Sequence, residues 1–164
     1  MNWNDIRKIH NHLSETSEGW HQHSNGGGWV QDTASVSDTA YVSETALVYG
    51  NAYVYENARV FGTAHVYENA WIYGNARVFG YARVFGNTII YENAHVSENA
   101  CVYGYAYVYG YALVSGNARV YENALVYENA RVYENVRVYG TAFISGHTHV
   151  YGTTHIYGTT HIFE

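Results

Sequence analysis

NARVYENALVYENARVYENVRVYG, residues Asn117–Gly140, repeats one six-residue unit four times. Stepping by six from Val30 lands on Val or Ile at all twenty-three positions to Ile162, with no insertion. Two residues before each aliphatic stands a small residue, usually Ala, as at Ala34, Ala52 and Ala118. The exceptions are Gly28, Val136 and the threonines Thr88, Thr148, Thr154 and Thr160. A small-x-aliphatic triplet alternates as a strand does, with the outer two side chains inward and the middle one outward. A helix does not return to the same face after six residues. The outward aromatic that follows is succeeded by Gly-Asn, Glu-Asn or Gly-Thr, types that accept the positive φ of a tight corner. Each unit therefore reads as a very short strand plus a bend.

This pattern resembles the hexapeptide repeat of left-handed parallel β-helices, in which three units make one triangular coil. The resemblance covers residues 28–164. It implies an all-β fold, a left-handed prism of seven to eight coils, with residues stacked every eighteen positions at about 4.8 Å. The position after the aliphatic, commonly small or acidic in that family, is here usually Tyr or Phe. Down one row of corners, Asp38, Glu56, Gly74, Glu92, Gly110, Glu128, Gly146 and Glu164 alternate acid and glycine except at Asp38 and Glu56. Like charges directly opposite one another in neighbouring strands destabilise, so this alternation supports the stacking register.

Residues 1–27 are different. Trp3, Ile6, Ile9 and Leu13 have helical spacing, with Asn2 or Asn4 as N-cap. A short helix is expected over the open end of the first coil, followed by a glycine-rich cap in which Trp20 and Trp29 pack the helix down. His21 and His23 form a His-x-His pair, which as two ligands alone reads as a loop rather than a metal site.

Sorting the outward residues by face separates their chemistry. Face B carries Tyr53, Trp71, Ile89, Tyr107, Leu125 and Phe143, flanked by Tyr55, Tyr73, Tyr91, Tyr109 and Tyr127, and no arginine. Face A carries His65, Arg83, Arg119 and Arg137; face C carries Arg59, Arg77, His95 and Arg131. A contiguous apolar strip of this size marks an interaction surface, so these eleven face B residues are the candidate interface.

Composition bounds the rest. A formal net charge of -6 argues against a nucleic-acid binder that relies on bulk charge. The single cysteine, Cys101, excludes an intramolecular disulfide. No apolar run has the length of a signal peptide core or a membrane span, so a cytoplasmic protein with no membrane partner is expected. Walker and Ser-His-Asp patterns are absent as recognisable motifs. Inward threonines do not supply the outward threonine rank of an ice-binding face.

The resemblance also implies enzymes to weigh. Related trimeric acyltransferases interrupt the prism with a loop bearing a catalytic histidine, whereas His65 and His95 here sit within unbroken repeats. The carbonic anhydrase of this fold holds zinc with histidines from adjacent subunits. His149, His155 and His161 occupy equivalent positions on three different faces, and only His147 and His149 share a corner. GHTH, residues 146–149, is similar to metal-holding tips of trimeric viral fibres over four residues only.

The expectation is thus a non-catalytic binding and assembly module with no cofactor and no bound metal. It would self-associate through face B, as a trimer first and a dimer second, and present its Arg/Tyr faces to a protein or small ligand. A trimeric acyltransferase or carbonic-anhydrase-like enzyme is the alternative. A phage or mobile-element protein that captures a host component is the third reading.

Overall fold

The computed structural model describes residues 1–164. The chain forms one short helix, α1 (Trp3–Ile9), then β1 (Trp20–Gln22) and β2 (Trp29–Gln31). Twenty-two two-residue strands follow, from Ser35–Val36 to His161–Ile162. From β2 onward every strand pairs in parallel with the strand three places later, so the strands sort into three sheets. Residues eighteen apart are partners, as Ile89 with Tyr107 and Ile90 with Val108. The fold is an all-β parallel β-solenoid of about seven turns, as the six-residue period requires.

The interior follows from the alternation. Inward Val and Ile, with the small residue two before each, form one continuous core from Val30 to Ile156. Ala106 and Val108 are fully buried while Tyr107, between them, is exposed. Such a stack leaves no room for insertion, because an extra residue would reverse every later side chain in its strand.

The corners have their own chemistry. Seven glutamates, including Glu56, Glu92 and Glu128, adopt positive φ near 60°. Five of the seven accept the backbone N–H of the glycine one turn later, as Glu56 Oε2 from Gly74 at 2.8 Å and Glu128 Oε2 from Gly146 at 2.7 Å. The glycine is needed for space as well as for its φ. A Cβ on Gly110 (φ +74°) would stand 2.7 Å from the Glu128 backbone nitrogen. The acid–glycine alternation thus expresses a hydrogen bond and a close approach, in addition to the separation of like charges.

The N-terminal region departs from the expected seating. Asn2 is the N-cap, accepting from Asp5 N–H. Helix α1 lies against the outer side of face A, where Trp3 and Ile6 pack on Trp29 and Leu47, rather than over the end of the first coil. The end is covered by the hairpin: β1 pairs antiparallel with β2 and extends the face A sheet by one strand. The glycine-rich turn beneath it bonds Val42, with Gly28 N–H donating to the Val42 carbonyl at 2.9 Å. Trp20 and Trp29 do hold the helix, at ring separations of 5.4 and 4.8 Å from Trp3.

Val108→Asp would bury an unpaired carboxyl group, which is forced into its neutral form and still costs several kcal/mol (roughly 2–7). Ala106→Leu would overpack the same layer by about 1–3 kcal/mol. Tyr107→Ser, on the outward position, should lower the melting temperature far less than either. Thermal melts of the three variants rank them; equal damage from Tyr107→Ser and Val108→Asp would contradict the inward–outward assignment.

Candidate functional site

The eleven candidate residues of face B fall on one sheet and its corner. Tyr53, Trp71, Ile89, Tyr107, Leu125 and Phe143 are successive register partners. Tyr53, Trp71 and Tyr107 are exposed, and the other three are half-buried. Beside them Tyr55, Tyr73, Tyr91, Tyr109 and Tyr127 form a ladder of nearly parallel rings at 4.8–5.1 Å. Identical turns place identical rings one strand spacing apart, so the ladder is a direct product of the repeat. Burial within the stack, followed by the neighbouring Tyr109, pushes the Tyr91 hydroxyl up to about 12. Burial also raises Tyr55, Tyr73 and Tyr109, so these four hydroxyls add no charge to the strip.

The other two faces differ in continuity. At the corner after face A, seven rings from Tyr49 to Tyr157 stack without a gap. After face C the ladder is broken: Phe61 stacks on Phe79 and Tyr133 on Tyr151, with Ser97 and Ser115 in the two places between. Leu113, the shortest outward chain there, floors a groove of about 580 Å³ bounded by Arg77, His95, Tyr111 and Arg131. Burial and then the nearby Arg77 lower the pKa of His95.

Charge is segregated. No arginine lies within 4.0 Å of a carboxylate; the ion pairs are Met1–Glu44, Lys8–Asp5 and His21–Asp32. Arg59 and Arg77 are direct register partners, as are Arg119 and Arg137. Like charges so placed repel. Arg59 is held over the Tyr41 ring at 5.0 Å, a cation–π contact that offsets part of this. The other arginines of the flat faces sit over no ring and point outward.

His21 and His23 do not converge. His21 Nδ1 pairs with Asp32 at 2.8 Å, while the buried His23 bonds the Ala40 carbonyl at 3.0 Å. His147 and His149 make no side-chain hydrogen bond, although the His149 ring meets Tyr133 edge-on at 6.5 Å. His65, read from the sequence as a repeat surface residue, is half-buried instead. Its Nε2 lies 3.0 Å from His10 Nδ1, and His10 Nε2 lies 2.8 Å from the Thr45 carbonyl. A carbonyl can only accept, so His10 carries its proton on Nε2, and His65 Nε2–H donates to His10 Nδ1. His65 Nδ1 then faces the Tyr49 hydroxyl at 3.4 Å as an acceptor. This directed chain ties the end of α1 to face A. Nothing periodic signals it; the only trace in the sequence is IHNH at the end of the helical pattern.

The family model described as the YdcK beta solenoid repeat matches residues 70–86 and 112–128. Each stretch begins on an inward alanine and spans just under one turn. The chain is a β-solenoid repeat protein. No curated protein matches it. No helix is long and apolar enough to cross a membrane.

The histidine chain makes the cap pH-sensitive. Burial lowers His65 to about 4, with His10, His12 and Arg83 adding to it, and burial lowers His10 as well. Well above pH 6.5 both folded and unfolded forms are neutral and the stability is complete. As pH falls from about 6.5 to about 4, the unfolded chain binds protons that the folded cap resists, so stability is lost in that window. Fluorescence of the Trp3–Trp20–Trp29 cluster during thermal melts should show a cap transition that is flat above about pH 7 and falls below about 6.5. His65→Gln, whose amide still donates to His10, should flatten the slope; an unchanged slope would contradict the assignment.

Proposed function

We propose that this β-solenoid is a non-catalytic binding and assembly module that associates with copies of itself through face B and offers its arginine faces to a partner. The observation that carries the reading is the segregation of the outer surface. Face B is arginine-free, aromatic and continuous over six turns, and a contiguous apolar strip of that kind is costly to leave in water. Five of the seven positive-φ corner glutamates are committed to backbone N–H groups, and no carboxylate lies within 4.0 Å of an arginine on the flat faces.

The arrangement we favour is a ring of three, with a two-fold dimer second. A three-fold ring needs a different surface to receive face B. Helix α1 occupies the first turns of face A, which leaves face C. Arg59 and Arg77 on face C follow Tyr53 and Trp71 by six residues, a third of a turn, which is roughly 1.6 Å of axial rise. Copies side by side without axial shift would bring these guanidinium groups to the height of the Tyr53 and Trp71 rings, where cation–π attraction is available. Three strands per turn, a six-residue period and inward small residues also support placing the coil with the left-handed hexapeptide-repeat helices.

Light scattering at micromolar concentration is expected to give three times the 18.5 kDa chain mass. Trp71→Glu with Tyr107→Glu should reduce it to one chain without changing the β-rich circular dichroism spectrum, since both side chains point outward. A monomeric wild type at that concentration would overturn the proposal, and a mass of two chains would replace the ring with the dimer.

A further inference from the structure

Between the end of α1 and face A lies a cleft of about 240 Å³. Besides Ile9 and Asn11 it is lined by His10 and His12 from the helix side, and by Thr63, His65, Tyr81 and Arg83 from the solenoid. No carboxylate lines it, and Arg83 has no carboxylate within 4.0 Å anywhere in the chain. Two of the lining groups are already committed, His10 to Thr45 and His65 to His10. Thr63 donates its hydroxyl to the Gly80 carbonyl at 3.0 Å. The Arg83 guanidinium, the exposed His12 imidazole and the exposed Tyr81 hydroxyl remain with no hydrogen-bond partner. Arg83 is the direct register partner of His65, one turn along the face A sheet. The His12 ring lies 5.5 Å from that of His65.

We propose that this cleft binds a small oxyanion, a carboxylate or a phosphate-type group, held by Arg83 and His12 with Tyr81 at the rim. The Arg83 guanidinium supplies a permanent charge and the planar donor fork that such oxygens match. The imidazoles make the site respond to pH. In the free protein burial opposes a proton on His65 most, and His10, His12 and Arg83 oppose it further. The Tyr49 hydroxyl on the other side of His65 is itself held neutral by burial. An anion in the cleft reverses this balance, because it favours the charged form of each imidazole near it. Binding is therefore coupled to proton uptake and tightens as pH falls. The site stands apart from face B, and its test does not depend on the oligomeric state.

Calorimetry with sodium sulfate and with sodium acetate, at ionic strength matched with chloride, tests the site at about pH 5.5 and about pH 8, on either side of the ordinary imidazole pKa. Sulfate is the probe because it stays a dianion across this range, and acetate separates the carboxylate class from it. Expected is one saturable site per chain for at least one probe, tighter at the lower pH by about tenfold for each unit by which an imidazole pKa rises. The His65 ring protons in NMR titrations should report a higher pKa with the probe than without it. Arg83→Gln should abolish binding while keeping the melting temperature, and His12→Gln should keep weaker binding with a smaller pH dependence. Binding no stronger than the chloride background, or binding unaffected by Arg83→Gln, would overturn the proposal.

Discussion

The N–H of Tyr107 donates to the carbonyl of Ala124 at 3.0 Å, and that of Tyr109 to Val126 at 3.0 Å. The same bond, from every second residue to the one seventeen further on, recurs along the repeat and holds each turn to the next. Everything else in the molecule depends on it. A turn must contain eighteen residues for the next bond to close, so the period admits no insertion. The bonds consume backbone donors at regular intervals, and the absence of proline from the chain agrees with that demand. Each turn gains its partners only from its neighbours, which makes stability a nearly one-dimensional sum over the stack.

The same constraint explains the surface. Stacking turns at one strand spacing converts a repeated tyrosine into a ladder of parallel rings and a repeated arginine into a column of like charges. The first is favourable, since offset aromatic rings attract. The second is not, and it persists on faces A and C with no carboxylate beside it. The acids that could have relieved it stand at corners instead, where a positive φ and a glycine one turn away give five of the seven carboxylates a backbone N–H. Assembly and anion binding are two ways to use a surface on which the positive charge has been left free and the apolar area gathered on one side.

The solenoid was legible in the sequence because its signal is periodic. The run from Val30 to Ile162 determines which residues point inward, and from that the three faces and the face B strip follow by counting. The corner hydrogen bonds were only half legible: the Glu–Gly alternation is visible in the letters, but the bond from the Gly74 N–H to Glu56 is a matter of rotamer and φ. The seat of α1 and the His10–His65 link were not legible. The histidine link joins residues fifty-five apart in sequence, one of them outside the repeat, and both features rest on side-chain shape rather than on period. Apolar spacing in Trp3, Ile6 and Ile9 announces a helix but does not say which surface it meets.

The register itself can be measured in one experiment. In a Cys101→Ser background, Ile89→Cys with Tyr107→Cys places two outward thiols on directly paired residues of adjacent turns. Neighbouring strands are about 4.8 Å apart, within the roughly 4.4–6.8 Å Cα separation that a disulfide spans. Ile89→Cys with Leu113→Cys, one hexad further on, places them on different faces. Under mild oxidation at low concentration, the first pair should form an intrachain disulfide and the second should not. A link in the second pair with none in the first would contradict the eighteen-residue stack.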